Sequence, residues 1–136
     1  MNTIWAWLTA GCVVAAAVTP VAAHHSFAAQ YDSNAPIELD GVITRVEWKN
    51  PHAHFYVDVA DGATVANWDM ELASPNMLTR NGWSRDALKE GDHVIVTGSR
   101  ARDGTNTAAT TLITLDDGRQ YSFISVINAT PATPDR

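Results

Sequence analysis

Thiols are all but missing from this chain: the one cysteine in 136 residues is Cys12, which excludes an intrachain disulfide framework. Basic residues are scarce too, with 9 Lys and Arg against 15 Asp and Glu and a net charge of −6. Without a basic stripe there is no electrostatic footprint for binding nucleic acid through its phosphates. There is no glycine-rich phosphate loop, no Ser-His-Asp spacing and no helix-borne His-Glu pair, so the common phosphate-binding and triad chemistries are not expected. What remains is a chain of one-domain length, 46% apolar, which is too hydrophobic to be wholly disordered.

Charge is most completely lacking at the start. Residues 1–23 hold no Lys, Arg, Asp or Glu, run almost continuously apolar from Ile4 to Val18, and end in Pro20-Val21-Ala22-Ala23. This layout predicts a secretory signal with cleavage after Ala23, Val21 and Ala23 filling the small-residue positions. The usual positive n-region is absent, since Met1-Asn2-Thr3 adds no charge. Two rivals use the same residues: a retained membrane anchor, for which the run is barely long enough, and lipidation at Cys12, for which Leu8 sits one place too early. Cleavage of 23 from 136 residues would leave 113, with the −6 charge intact and no cysteine. The expected localisation is periplasmic or secreted. Only His, carboxylate, Tyr and backbone groups would remain for chemistry.

The rest patterns as strands. Ile37 and Leu39 share one parity, Val42, Val46 and Trp48 the other, and Gly41 lies between, where a bend would restore the facing. Ala53, Phe55, Val57 and Val59 alternate with His52, His54, Tyr56 and Asp58; after Asp61-Gly62, Ala66, Trp68, Met70 and Leu72 alternate with Asn67, Asp69 and Glu71. That is a hairpin with one buried and one polar side. Ser74-Pro75 and Gly82 bracket a short helix, with Met77 and Leu78 expected to face the core. Further strands follow over His93–Gly98, Ala108–Leu115 and Gln120–Val126. The order predicts an all-β fold: a five- to six-stranded OB-like Greek-key barrel with one short helix between strands 3 and 4. The domain limits read as signal 1–23, leader 24–36, barrel 37–127 and tail 128–136.

His24-His25-Ser26-Phe27-Ala28-Ala29 and the run from Gly41 to Phe55, with its Trp48-Lys49-Asn50-Pro51-His52-Ala53-His54, resemble an exported bacterial family, the domain of unknown function 6152 family. Ala73-Ser74-Pro75-Asn76-Met77-Leu78, Asn81-Gly82-Trp83, Leu88-Lys89-Glu90-Gly91-Asp92 and Leu115-Asp116-Asp117-Gly118-Arg119 extend the resemblance over nearly all of the mature chain. It implies a small exported domain and supplies no activity.

Four of the five histidines fall in two clusters. Cleavage after Ala23 would give His24 a free α-amine beside its own imidazole, a chelate that resembles the histidine brace of copper monooxygenases and periplasmic copper carriers. Cleavage one residue earlier would leave Ala23-His24-His25, whose amine, amides and His25 imidazole suit square-planar Cu(II) or Ni(II). His52 and His54, two apart on a strand, project from one face about 7 Å apart along the chain. With Asp61-Gly62 as a two-residue turn, His54 would lie opposite Asp69 and His52 opposite Glu71, carboxylates placed to ligate or to orient the imidazoles. The 13-residue leader reaches about 40 Å, and Phe27 and Tyr31 are candidates to anchor it.

The expected metal set is therefore His24, His25, His52, His54, Asp69 and Glu71, with copper the expected ion, in a carrier, sensor or buffer; an oxidative copper enzyme would need an open coordination position and a substrate surface besides. The alternative is a metal-free module whose polar groove takes a periplasmic protein or peptide. His93, beside Asp92, reads as structural. Trp68 has core parity, whereas Trp48 and Trp83 are candidates to border a groove. Asp69 and Glu71 as a glycosidase-type pair lack any supporting nucleophile or pocket.

Overall fold

The computed structural model describes residues 27–122; the expected signal, His24, His25 and the expected tail lie outside the described residues. Six strands account for most of it: β1 Tyr31–Glu47, β2 His54–Asp61, β3 Thr64–Glu71, β4 His93–Ala101, β5 Thr107–Leu115 and β6 Gln120–Ser122. One helix, α1 Pro75–Arg80, joins β3 to β4, and residues 27–30 form a helical turn before β1. A mostly β chain with one short helix between strands three and four is what the sequence led us to expect. The strands form one sheet in the order β3-β2-β1-β4-β5-β6, and β3 also pairs with β5. That pairing is parallel, through Asp69↔Thr107, Met70↔Ala108 and Glu71↔Ala109.

The interior follows the alternation. Phe55, Val57, Met70, Val94, Val96 and Ile113 are fully buried, with Ile43 and Leu78 close to it, each such side chain adding about 2 kcal/mol of hydrophobic stabilisation. Trp68 and Trp83 belong to this core and Trp48 packs against it. Trp83 also meets Tyr121 at 4.3 Å between ring centroids. Both expected groove-border tryptophans are thus packing residues.

Three sequence expectations change in detail. Gly41 is not the point where β1 changes phase. Leu39, Gly41 and Ile43 all face inward, and the ladder to β2 slips between Ile43 and Arg45, so the extra residue is Thr44. Gly41 instead allows close approach: a Cβ there would stand 2.3 Å from the Asp58 carbonyl oxygen. In α1, Ser74 caps the N-terminus, accepting from the Met77 amide, and Pro75 opens the first turn. Leu78 is buried but Met77 is 41% exposed, because six residues give the helix room for only a narrow buried stripe. Finally, β1 begins at Tyr31, inside the expected leader. Tyr31 pairs with Ala101 and Pro36 with Ser99, with an irregularity between them.

The segment before β1 is held down by Arg102, whose backbone amide donates to the Gln30 carbonyl at 2.9 Å and whose Nε donates to the Ala28 carbonyl at 2.8 Å. Tyr31, Ala101 and Ala109 form a small second core, with Phe27 packed on it.

Candidate functional site: a histidine–carboxylate face

The β2–β3 hairpin carries the site. Its register pairs Asp61 with Thr64, so Gly62, at φ 60°, and Ala63 are the central turn residues rather than Asp61 and Gly62. Left-handed backbone at the first turn position favours glycine. The register is consequently two residues from the expected one: His54 lies opposite Glu71 and Tyr56 opposite Asp69. A shift of two preserves which side chains share a face, so the polar row survives. Backbone bonds from Ala53 to Ala73 and from Leu72 to Ala53 extend the pairing past the strand ends. Ala53 is fully buried, which turns His52 and His54 together to the outer side.

The expected partners still meet, along the diagonals. His54 Nδ1 bonds Asp69 Oδ1 at 2.7 Å, and His52 Nδ1 bonds Glu71 Oε1. Diagonal neighbours on an antiparallel pair are within reach of long side chains. A carboxylate can only accept, so in each pair Nδ1 carries the hydrogen and Nε2 keeps its lone pair in the neutral ring. This is the arrangement in which a carboxylate orients an imidazole for a ligand at its other nitrogen. Asp69 and Glu71 are thereby engaged as orienting groups.

Two residues of this face were not in the expected set. Glu47 on β1 is the cross-strand partner of His54 on the side away from Glu71. Lys49 hydrogen-bonds Glu47 and holds its carboxyl below the usual carboxylate range. Tyr31 donates its hydroxyl to Glu71 Oε2; expected only as an anchor, it contacts the site itself. Glu47 had a readable signal, since it alternates with the apolar Val46 and Trp48; the Tyr31–Glu71 contact spans 40 residues and had none.

The electrostatics follow from these contacts. His54 is raised above its ordinary 6.5, first by the hydrogen bond to Asp69 and against the opposing effect of partial burial, with Glu71 and Glu47 adding to the rise. Tyr31 is raised far above the phenol range, chiefly by burial and then by its bond to Glu71, so it stays protonated and acts as a donor. Among the described residues no group of three or more His, Cys, Asp or Glu is placed to hold a metal ion. Nor, among them, is any helix long and apolar enough to cross a membrane.

His93, expected to be structural, lies elsewhere. It opens β4, and both its ring nitrogens are taken: Nδ1 by Asp116 and Nε2 by Asp40, each at 2.7 Å.

Fold and site together define a small, mostly β domain with two oriented imidazoles on one hairpin face. The chain belongs to a family of unknown function, DUF6152, which matches residues 11–110, as the sequence resemblance implied. The matched span includes His52, His54, Asp69 and Glu71 and ends before Asp116. No curated protein matches the chain, and no solved structure does.

Proposed function

We propose that this protein is an exported OB-like barrel that binds a transition-metal ion, copper above all, as a carrier, sensor or buffer. The observation that carries the reading is the pair His52–Glu71 and His54–Asp69: two imidazoles on one face, each fixed through Nδ1 so that Nε2 is available. Neutral imidazole nitrogens suit Cu(II), which heads the affinity order for such sites. Two imidazoles fall short of a stable site, and the third and fourth donors in this reading are the amine and imidazole of His24 after signal removal. Tyr31 supports that route, because it ties the segment after His24 to Glu71. Phe27, packed on Tyr31 at 5.3 Å between centroids, is three residues from His24, a span of about 10 Å at most.

The barrel reading rests on the pairings: β1 with β2 and β4, β2 with β3, β4 with β5, and β5 with β3. Each of the first five strands then has at least two neighbours, and the one helix between strands follows the third, as in an OB-fold. The second reading, a metal-free periplasmic module, draws on a specific observation of its own. Both carboxylates are already bonded to the histidines, so each pair satisfies its polar groups without an ion.

One titration separates them. The processed protein, its first residue checked by mass, is titrated with Cu(II) while tryptophan emission is followed. One-to-one quenching, weakened at least about a hundredfold in His52→Ala/His54→Ala and also lost in His24→Ala, supports the metal site. Affinity no greater than that of a free His-His peptide overturns it and leaves the module.

A further inference from the structure

We infer that Tyr31 is a positioning residue for this site: through Glu71 it fixes which nitrogen of His52 is bare, so that the seating of the segment before β1 sets the geometry of the hairpin face. The inference rests on the metal-site reading for its purpose and on Tyr31, Glu71 and His52 alone for its geometry. The Tyr31 ring is 2% exposed and is packed by Ala101, Ala109 and Phe27. A phenylalanine would fill the same space. The hydroxyl is therefore not needed for packing, yet it donates to Glu71 Oε2 while His52 Nδ1 occupies Glu71 Oε1.

A carboxylate held by one donor turns about its last bond and shares both oxygens with solvent; held by two, it presents a fixed acceptor to each. Glu71 is only 15% exposed at its side chain, whereas His52 is 51% exposed. The imidazole is thus the less enclosed partner, and its tautomer follows the acceptor it is offered. A free histidine side chain in water prefers its hydrogen on Nε2; a fixed carboxylate beside Nδ1 reverses that preference. His54 serves as an internal control, since its Nδ1 is held by Asp69, which makes no bond to Tyr31. Gln30 Nε2 donates to the Tyr31 oxygen at 3.1 Å, so the hydroxyl's own hydrogen is directed away from Gln30 and toward Glu71.

The test needs no metal for its first arm. In long-range proton–nitrogen spectra of the metal-free protein, taken above the histidine titrations, wild-type His52 and His54 both show Nδ1–H. Tyr31→Phe moves His52 toward Nε2–H and leaves His54 where it was. An unchanged His52 tautomer in folded Tyr31→Phe overturns the inference. A wild-type measurement guards against misfolding of that variant: a slowly exchanging Tyr31 hydroxyl proton with a cross-peak to the Glu71 side chain, absent in Glu71→Gln, supports it. Rapid exchange of that proton in the wild type overturns it. In the second arm, Tyr31→Phe lowers Cu(II) affinity about tenfold, the range for partners that orient a ligand. If wild-type protein binds no copper, the metal reading fails and the tautomer arm still decides the role of Tyr31. If copper binds and the tautomer does not move, the Tyr31 inference alone fails.

Discussion

Histidine meets carboxylate in two places on this sheet, with opposite chemical results. On the β2–β3 face each imidazole has one carboxylate: Glu71 for His52 and Asp69 for His54. At the start of β4, His93 has two, Asp116 and Asp40. One acceptor orients a ring and leaves a nitrogen lone pair for a ligand; two acceptors, one at each nitrogen, favour the doubly protonated ring and leave no lone pair. The number of ring nitrogens bonded to carboxylates decides whether a surface histidine is a candidate ligand or a cationic clasp. Counting histidines alone would have treated the three alike.

The strongest way to break this comparison is through the strand both regions share. Gly41 on β1 pairs with Val59 of β2 and Val94 of β4, and a Cβ there would stand 2.3 Å from the Asp58 carbonyl oxygen and 2.7 Å from Val57 Cγ1. Backbone cannot yield as a flexible side chain does. Gly41→Ala is expected to destabilise the fold by about 3 kcal/mol, read as a lower urea midpoint, and to disturb both histidine regions at once. A variant with wild-type stability would show that β1 and β2 are less closely joined than this.

A narrower variant sharpens the contrast. Asp69→Asn keeps the shape beside His54 but replaces the carboxylate with an amide, and Cu(II) affinity is expected to fall about tenfold. Asp116→Asn, the matching change beside His93, should leave it within about twofold, since His93 offers no bare nitrogen. Competition with a chromogenic chelator measures both. Equal losses in the two variants would mean that the effect is one of general charge.

The site was more legible than the ladder that builds it. Alternation from Ala53 to Val59 and from Ala66 to Leu72 gave the buried and polar faces, because the period of two is local and strong. The register was read two residues out, since Asp61-Gly62 is a good turn dipeptide and the chain turned on Gly62-Ala63 instead. The side chains met regardless, since that shift keeps the faces and the diagonals are within reach. The start of β1 was illegible for a different reason. Asp32-Ser33-Asn34-Ala35-Pro36 has the composition of a turn, and its place in β1 comes from the pairs with β4 at its two ends, Tyr31↔Ala101 and Pro36↔Ser99, more than sixty residues away. The partners of His93 were equally hidden: Asp116 is 23 residues from it and Asp40 is 53, separations at which neither spacing nor periodicity carries a signal. Asp92, the neighbour in sequence, bonds the Lys89 amide instead.

The smallest expected effect concerns that clasp, and its sign is fixed. The hydrogen bond to Asp116 first, and then that to Asp40, raise His93 above its ordinary 6.5. A histidine that holds its proton more tightly when folded adds stability that is complete below the unfolded value and disappears as pH climbs through the folded one. The urea midpoint of wild type relative to His93→Gln should therefore be highest near about pH 6 and decline by about pH 9. His54 is also raised, by Asp69, but is present in both proteins and cancels in the difference. The clasp is exposed, with side-chain accessibilities of 39% for His93, 70% for Asp40 and 76% for Asp116, so the difference should be small and should shrink further in molar salt. A pH-independent difference would mean that His93 acts through packing, and the contrast between one carboxylate and two would lose its electrostatic half.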